Sequence, residues 1–306
     1  MSDQYTEPEL LRPKTRVRES YLFVAPALAV IVAFSIIPII WVLAVSLERF
    51  NPMTATAQWA GLRSYLDVLE SPAVWRAVLN TGYFGIFYIP LTLAGSWLLA
   101  LLLERPVRGR PILQAIFCAP AVMPVVGMAL VWRAAYEPMS GSIDRMLYLI
   151  GIDHSLSWSG WLGEPYLAMP SIALMCVWRD LGWFSLLFLA ALSRAPRDSY
   201  DLADLDGAGA WDKFLHIKLP ACAGAITLSI ILLVINTQNL FQEIFVMSED
   251  GGPANWTLNV PFLVYRRVYT DYDWGHAAAL STVILAMSII FVLILNRMIK
   301  RRLNWT

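Results

Sequence analysis

The chain has 306 residues, of which 58% are hydrophobic and 15% are charged, and its formal net charge is zero. A soluble domain of average composition is about 45–50% apolar and about 25% charged, so this chain is predicted to be solvated mainly by a lipid bilayer. The zero net charge argues against nucleic acid as a partner.

Long apolar segments follow one another along the chain, and a helix needs about 20 such residues to cross a bilayer. The first segment suits a retained helix better than a cleaved signal peptide, because it is long and has no small-residue cleavage pattern at its end. Pro111, Pro120 and Pro124 interrupt the third segment, which predicts a kinked or broken helix there. The predicted spans are residues 21–47, 76–103, 111–134, 167–191, 221–247 and 276–298.

Basic residues are concentrated in alternate connecting segments, and such segments are cytoplasmic in membrane proteins. Both chain termini and the loop of residues 194–220 are therefore predicted to be cytoplasmic. The residues that give this orientation are Arg12, Lys14, Arg16, Arg18, Arg105, Arg108, Arg110, Arg194, Arg197, Lys213, Lys218, Lys300, Arg301 and Arg302. The predicted divisions are a cytoplasmic segment (1–20), a first transmembrane helix with its outer loop (21–75), a transmembrane core (76–299) and a cytoplasmic tail (300–306).

The cysteines and histidines do not indicate a metal site or a catalytic pair. The cysteines lie in or beside apolar segments without the short spacing of metal ligands, and the histidines stand far apart. We therefore expect no disulfide framework, no bound metal and no catalytic residue. The residues concerned are Cys118, Cys176, Cys222, His154, His216 and His276.

The loop from Arg194 to Pro220 is the most informative segment, and its pattern predicts helix, turn, helix. Pro196 begins the first helix, and acidic residues follow it where the helix macrodipole favours negative charge. Gly207 supplies the backbone freedom that a sharp turn needs, and Pro220 is expected to end the second helix.

Both short helices of this loop carry an apolar face. An exposed apolar face on a cytoplasmic helix favours docking to a partner, and the alternative is an ordinary interfacial helix that lies on lipid headgroups. The apolar residues are Leu202, Leu205, Trp211, Phe214 and Leu215.

Two stretches of the loop, Tyr200-Asp-Leu-Ala-Asp-Leu-Asp-Gly-Ala208 and Ile217-Lys-Leu-Pro220, resemble the EAA loop of binding-protein-dependent ABC importer permeases. Asp201 stands where that family usually has Glu, and Leu202 where it usually has Ala. In the family this loop forms a coupling helix that docks into a cleft of a separate nucleotide-binding subunit. The resemblance implies the same contact here for Tyr200, Asp201, Ala203, Asp206, Gly207, Ala208, Trp211 and Phe214.

Residues 120–132, 178–192 and 241–253 resemble the carbohydrate subgroup of these permeases, the maltose and glycerol-phosphate importer type. The resemblance covers roughly residues 20 to 300. It implies an all-α membrane protein with six transmembrane helices and the type I ABC importer permease fold, embedded in the lipid bilayer of the cell membrane. It also implies a second permease of similar fold, two ATP-binding subunits and an extracytoplasmic solute-binding protein.

The sequence is consistent with such a division of labour. It contains no Gly-x-x-x-x-Gly-Lys-Ser/Thr phosphate loop, so ATP and Mg²⁺ are expected on a partner ATPase and no cofactor on this chain. The chain is accordingly interpreted as a transport subunit and not as an enzyme.

Polar side chains within membrane spans usually face the bundle interior or a cavity. Because sugar binding needs hydroxyl partners and aromatic faces, we predict a substrate path lined by Asp180, Trp183, Asn236, Asn239 and Gln242. The alternative is that these side chains form interhelical hydrogen bonds. Neighbouring helix positions diverge by about 100°, so we expect Arg179 not to share a face with Asp180 and to make a structural contact instead.

Two other functions compete with the importer interpretation. An ion-coupled secondary transporter would need a carboxylate amid a broken helix, for which Asp180 is the one deep candidate. A membrane-embedded hydrolase would need a clustered nucleophile and base, which the sequence does not present. Within the importer interpretation, the solute is left open among monosaccharides, disaccharides, longer glycans and glycerophosphodiesters.

Overall fold

The computed structural model describes residues 17–53, 56–104, 108–151 and 159–302. Most of the predicted N-terminal segment, the last residues of the predicted tail, and Arg12, Lys14, Arg16, Arg105 and His154 lie outside the described residues.

The described chain is predominantly helical. Its helices are α1 (Val17–Ile31), which continues through a π-helical turn (Val32–Ile36) into α2 (Ile37–Val45), α3 (Arg63–Glu70), α4 (Pro72–Glu104), α5 (Arg110–Val122), α6 (Val125–Ala135), α7 (Ser142–Leu149), α8 (Gly160–Gly163), α9 (Pro165–Leu192), α10 (Arg197–Leu205), α11 (Ala210–Lys213), which continues through a π-helical turn (Phe214–Lys218) into α12 (Leu219–Ala221), α13 (Ala223–Gln238), α14 (Gln242–Met247), α15 (Val260–Tyr269) and α16 (Trp274–Arg302). Two single 3₁₀ turns, Glu249–Gly251 and Pro253–Asn255, connect α14 to α15.

The six predicted spans are confirmed in number when broken helices are counted as single spans. Among the described residues, four helical stretches are each long and apolar enough to cross a bilayer, and two further pairs of bent helices bring the total to six. The four stretches are Phe23–Val45, Pro72–Glu104, Pro165–Leu192 and Trp274–Ile294. The chain therefore crosses the helical bundle repeatedly, and its connecting segments lie at the two opposite ends of the bundle.

One end carries a short β-hairpin that the all-α prediction missed. Strand β1 (Glu48–Asn51) pairs antiparallel with β2 (Thr56–Trp59), with Glu48 opposite Trp59. Each strand has only four residues and no clear alternation of apolar and polar side chains, so the sequence pattern did not indicate it. We call this end of the bundle the hairpin end. The opposite end, which carries α10 to α12, is the loop end.

The third span is broken, as its prolines predict. Helices α5 and α6 meet at an angle of 98°. Met123 between them is extended (φ −71°, ψ 144°), which is the conformation that a following proline, here Pro124, favours.

The fifth span differs from its prediction. A continuous helix over residues 221–247 is wrong, because α13 ends at Gln238 and α14 begins only at Gln242. The amide of Asn259 donates to the carbonyl of Leu240 inside this break, and its side-chain oxygen caps α15 by accepting from the backbone N–H of Phe262 at 3.1 Å. One buried asparagine thus satisfies the broken end of one helix and the start of another.

The core lies where α4, α9 and α13 pack together. Phe84, Tyr88, Phe184 and Leu233 are fully buried there. At Gly182 on α9 the backbone of α5 approaches so closely that an added Cβ would lie 2.0 Å from the carbonyl oxygen of Phe117.

Gly182→Ala is therefore expected to push α5 away from α9 and to destabilise the fold by about 3 kcal/mol, the upper part of the usual range for overpacking. The matched control is Gly82→Ala on α4, where an added Cβ meets nothing within 4 Å. Thermal unfolding of both variants in the same detergent, followed by size-exclusion chromatography, is the measurement. Equal midpoints for the two variants would contradict the close approach of α5 and α9.

At the hairpin end a polar clasp joins α3 to the start of α16. The carboxylate of Asp67 lies 3.2 Å from Nε2 of His276 and 3.2 Å from a guanidinium nitrogen of Arg49. The hydrogen bond from His276 and the neighbouring Arg49 hold the pKa of Asp67 below its ordinary value.

This clasp is expected to weaken in acid. A carboxyl group with a lowered folded pKa stabilises the fold above its unfolded pKa of about 3.9, and that stabilisation is lost as the pH falls through the folded value. Asp67→Asn should therefore lower the midpoint of thermal unfolding at pH 6, and its difference from the wild type should shrink as the pH falls below about 3.9. A wild-type and variant difference that is constant between pH 6 and pH 3 would show that the Asp67 charge does not contribute.

Candidate functional site

The loop-end helices α10 and α11 form a compact helical hairpin, as the helix, turn, helix pattern predicts. Gly207 has φ +71°, and the backbone N–H groups of Gly207 and Ala208 donate to the carbonyls of Asp204 at 3.2 Å and Ala203 at 2.9 Å. This pair of bonds is the Schellman arrangement that ends helices with a left-handed residue. The second helix ends at Ala221, one residue beyond the predicted stop at Pro220.

The tip of this helical hairpin exposes large apolar side chains. Leu205 is 85% exposed, Leu202 is 62% exposed and Trp211 is 66% exposed. The ring of Trp211 stacks on Phe214 with centroids 5.2 Å apart. We call Leu202, Leu205 and Trp211 the apolar tip. It supplies the kind of surface that a helix presents to a partner subunit.

The helical hairpin is tied to the membrane helices. Lys218 lies 2.5 Å from the carboxylate of Glu104, the last residue of α4, and Lys213 pairs with Asp204 across the hairpin. Phe214 packs edge-on against Trp97 of α4 with centroids 6.0 Å apart. A displacement of the apolar tip would therefore be carried into α4 and α13.

The predicted coupling residues occupy different positions on the hairpin. Asp201, Asp206, Gly207 and Trp211 are exposed, whereas Ala203, Ala208, Tyr200 and Phe214 are partly buried. Burial, with the nearby Glu104 charge, raises the pKa of Tyr200 above its ordinary value. The exposed residues can contact a partner directly, and the partly buried residues pack within the helical hairpin of α10 and α11.

A buried network of charges joins α4, α9 and α14 inside the bundle. The Arg179 guanidinium donates to both oxygens of Asp180 at 2.9 Å and to Glu243 at 2.5 Å. Tyr88 of α4 donates its hydroxyl proton to Asp180 at 2.6 Å. We call Tyr88, Arg179, Asp180 and Glu243 the buried charge network. It fastens the short helix α14 to α9.

The bond between Arg179 and Asp180 was not predicted, because neighbouring positions lie on different faces of a helix. The two backbone positions do diverge, but the arginine side chain is long enough to curve round the helix and to bind its neighbour through two nitrogens. Arg179 does make a structural contact, as predicted, through both Asp180 and Glu243.

The structure places the predicted substrate-path residues in two environments. Asp180 is 9% exposed and its oxygens are bonded within the network, which is the arrangement of the interhelical alternative. Trp183 is 56% exposed, and Asn239 and Gln242 are also exposed at the break of the fifth span. Asn236 is half-buried and donates weakly to the Tyr88 hydroxyl at 3.4 Å.

A second arginine holds the other end of α14. Arg133 of α6 donates to the carbonyl of Val246 at 3.1 Å and to the carboxylate of Glu249 at 2.6 Å. Helix α14 is thus fixed at its start by Arg179 and at its end by Arg133, and its first residue, Gln242, is exposed.

Sequence reasoning did not identify Tyr88 or Asn259. A tyrosine in an apolar span is an ambiguous sign, because it is as often an interface anchor as a network member. The only indication for Asn259 was a polar side chain just before Pro261 and an apolar helix, which is typical of a helix cap. Neither pattern identifies the distant partner.

Residues 92–305 match the family of binding-protein-dependent transport system inner membrane components. Two relatives align over nearly the whole chain. The trehalose/maltose transport system permease protein MalF of Thermococcus litoralis is 30% identical over 92% of this chain and 95% of its own length. The sn-glycerol-3-phosphate transport system permease protein UgpA of Escherichia coli is 30% identical over 93% of this chain and 95% of its own length.

The fold is also that of a solved importer. In the crystal structure of a bacterial alginate ABC transporter in complex with an alginate pentasaccharide-bound periplasmic protein, one chain superposes with a TM-score of 0.80 at 21% identity. The alignment covers 95% of this chain and 96% of that chain. The architecture is therefore that of an ABC importer permease, as the resemblance implied.

Proposed function

We propose that this chain, which belongs to the family of binding-protein-dependent transport system inner membrane components, forms half of the translocation path for a sugar or a related polyhydroxylated solute. As a member of that family it is a multi-pass membrane protein and a permease subunit of an ABC importer. The solute class and the coupling to ATP hydrolysis are the parts that we propose.

The apolar tip is the observation that supports coupling. A leucine that is 85% exposed at the end of a rigid helical hairpin is costly unless a partner covers it. The ion pair between Lys218 and Glu104 makes the hairpin rigid with α4. A partner that moves the tip would therefore shift the membrane helices as bodies, which is how packed interfaces transmit a change of state.

The proposed assembly contains this permease, a second permease of similar fold, two ATP-binding subunits and an extracytoplasmic solute-binding protein. ATP and Mg²⁺ are held by the ATP-binding subunits. Both termini and the helical hairpin of α10 and α11 face the cytoplasm. The opposite end of the bundle, which carries the β-hairpin, faces outward. The proposal also includes the predicted divisions of the chain into a cytoplasmic segment (1–20), a first transmembrane helix with its outer loop (21–75), a transmembrane core (76–299) and a cytoplasmic tail (300–306).

A sugar is favoured by the chemistry of the exposed path residues. Asn239 and Gln242 supply amide donors and acceptors for hydroxyl groups, and Trp183 supplies an aromatic face. Two of the relatives are named for the transport of polyhydroxylated solutes, namely trehalose/maltose and sn-glycerol-3-phosphate. Which sugar is carried depends also on the partner permease and on the binding protein.

The test is co-purification from the native membrane in mild detergent, with Leu205→Asp compared with the wild type. The charge on the tip should release a P-loop ATPase while the second six-helix permease stays bound. Leu66→Asp is the matched control, because Leu66 is 58% exposed on α3 at the hairpin end. Retention of the ATPase by Leu205→Asp, or its loss from both variants, would contradict docking at the tip.

The same preparation separates the importer from the ion-coupled alternative. Uptake into proteoliposomes should require ATP and should stop when the ATPase is removed. Uptake that instead follows a proton or sodium gradient, with no ATPase co-purifying, would replace the importer with a secondary transporter.

A further inference from the structure

The charges buried beside the substrate path do not balance. From Pro165 to Leu192 and from Ala223 to Met247, the sequence contains one basic residue, Arg179, and two acidic residues, Asp180 and Glu243. All three belong to the buried charge network, where Arg179 binds both carboxylates. These segments therefore carry one surplus carboxylate.

The buried charge network is connected to a residue of the proposed path. Glu243 follows Gln242 directly in α14, and Tyr88 connects Asp180 to Asn236 through bonds of 2.6 Å and 3.4 Å. The next cation toward the hairpin end, Arg133, is itself paired with Glu249. A solute at Asn236, Asn239 and Gln242 thus meets amides, with no free cation on α9, α13 or α14.

We infer that the solute carried through this permease is an uncharged saccharide and not a uronic acid or a sugar phosphate. The inference rests on the proposed sugar path and narrows its substrate class. An anion within about 10 Å of one uncompensated carboxylate, at an effective dielectric constant of about 20, is disfavoured by about tenfold. The anion would also lose its hydration without gaining a cationic partner.

The inference separates this chain from two of the proteins it is similar to, which are named for glycerol-3-phosphate and for the acidic polysaccharide alginate. An anionic solute is stabilised most strongly by donors that carry positive charge. The one guanidinium on α9, α13 and α14 is that of Arg179, and it already donates to the carboxylates of Asp180 and Glu243. The side-chain amides of Asn236, Asn239 and Gln242, by contrast, are neutral donors and acceptors that suit the hydroxyl groups of an uncharged sugar.

The experiment measures ATP-driven uptake by the complete importer in proteoliposomes with its own binding protein. The probes are labelled neutral sugars from glucose to maltotetraose, together with trehalose, lactose and cellobiose. The acidic probes are digalacturonate and sn-glycerol-3-phosphate. We expect uptake of a neutral probe and at least tenfold less uptake of either acidic probe.

The charge variants Glu243→Gln and Asp180→Asn each remove the surplus carboxylate while leaving a polar acceptor for Arg179. Both should raise the ratio of acidic to neutral uptake above the wild-type ratio. Because the binding protein is the same in every preparation, its own preference cancels when the variant and wild-type ratios are compared. Two independent variants guard against misfolding of one of them.

The outcomes are distinguishable. Wild-type uptake of an acidic probe as fast as the best neutral one would overturn the inference and leave the sugar importer intact. An unchanged ratio in both variants would overturn the role of the surplus carboxylate. ATP-driven uptake of a solute of another class, with no saccharide carried, would overturn the proposed function itself.

Discussion

Replacing Arg179 with Met is expected to destabilise the protein by about 3–5 kcal/mol, the range measured when one partner of a buried ion pair is removed. Arg179 is only 14% exposed at its side chain, and it is the cation for both Asp180 and Glu243. Its loss leaves two carboxylates in a low-dielectric interior, and α14 loses its bond to α9.

The matched control is Arg133→Met, the same substitution in an arginine that also binds α14. The side chains of Arg133 and Glu249 are 42% and 83% exposed, so solvent screens their interaction and the expected loss is about 1 kcal/mol or less. Thermal unfolding in one detergent, at matched protein concentration, compares the two variants.

A triple variant in which Met replaces Arg179 and apolar residues replace Asp180 and Glu243 tests the reason for the loss. If the cost comes from uncompensated charge, the triple variant should be more stable than Arg179→Met alone. An Arg179→Met protein as stable as Arg133→Met would mean that the network is solvated and does not fasten α14.

The number and order of the membrane helices were accessible from sequence because they depend on local quantities. A run of about 20 apolar residues makes a span whatever lies beside it. The break at Met123 and Pro124 was equally local, since proline restricts the residue that precedes it. The turn at Gly207 followed from the same kind of reasoning.

The internal geometry of the candidate site was not accessible in this way. The break at Leu240 has no proline, and it is stabilised by Asn259, which lies 19 residues further along the chain. The bond between Tyr88 and Asp180 spans 92 residues. Such contacts depend on which helix faces meet, and the periodicity of a uniformly apolar helix does not specify its faces.

Replacing Gly207 with Val is expected to reduce ATP-driven uptake by about tenfold while leaving membrane insertion unchanged. At φ +71° a β-branched residue costs about 1–2 kcal/mol, and about 1.4 kcal/mol shifts an equilibrium tenfold. The Schellman turn should then open and turn the apolar tip away from its partner.

Gly207→Asn is the matched control, because asparagine tolerates the left-handed region better than other non-glycine residues. An added Cβ at this position meets nothing within 4 Å, so the two variants differ in backbone preference and not in a clash. Uptake and co-purifying ATPase should both follow the order glycine, asparagine, valine. Equal uptake by the two variants would mean that the tip docks without this turn, and the exposed leucines alone would then have to account for coupling.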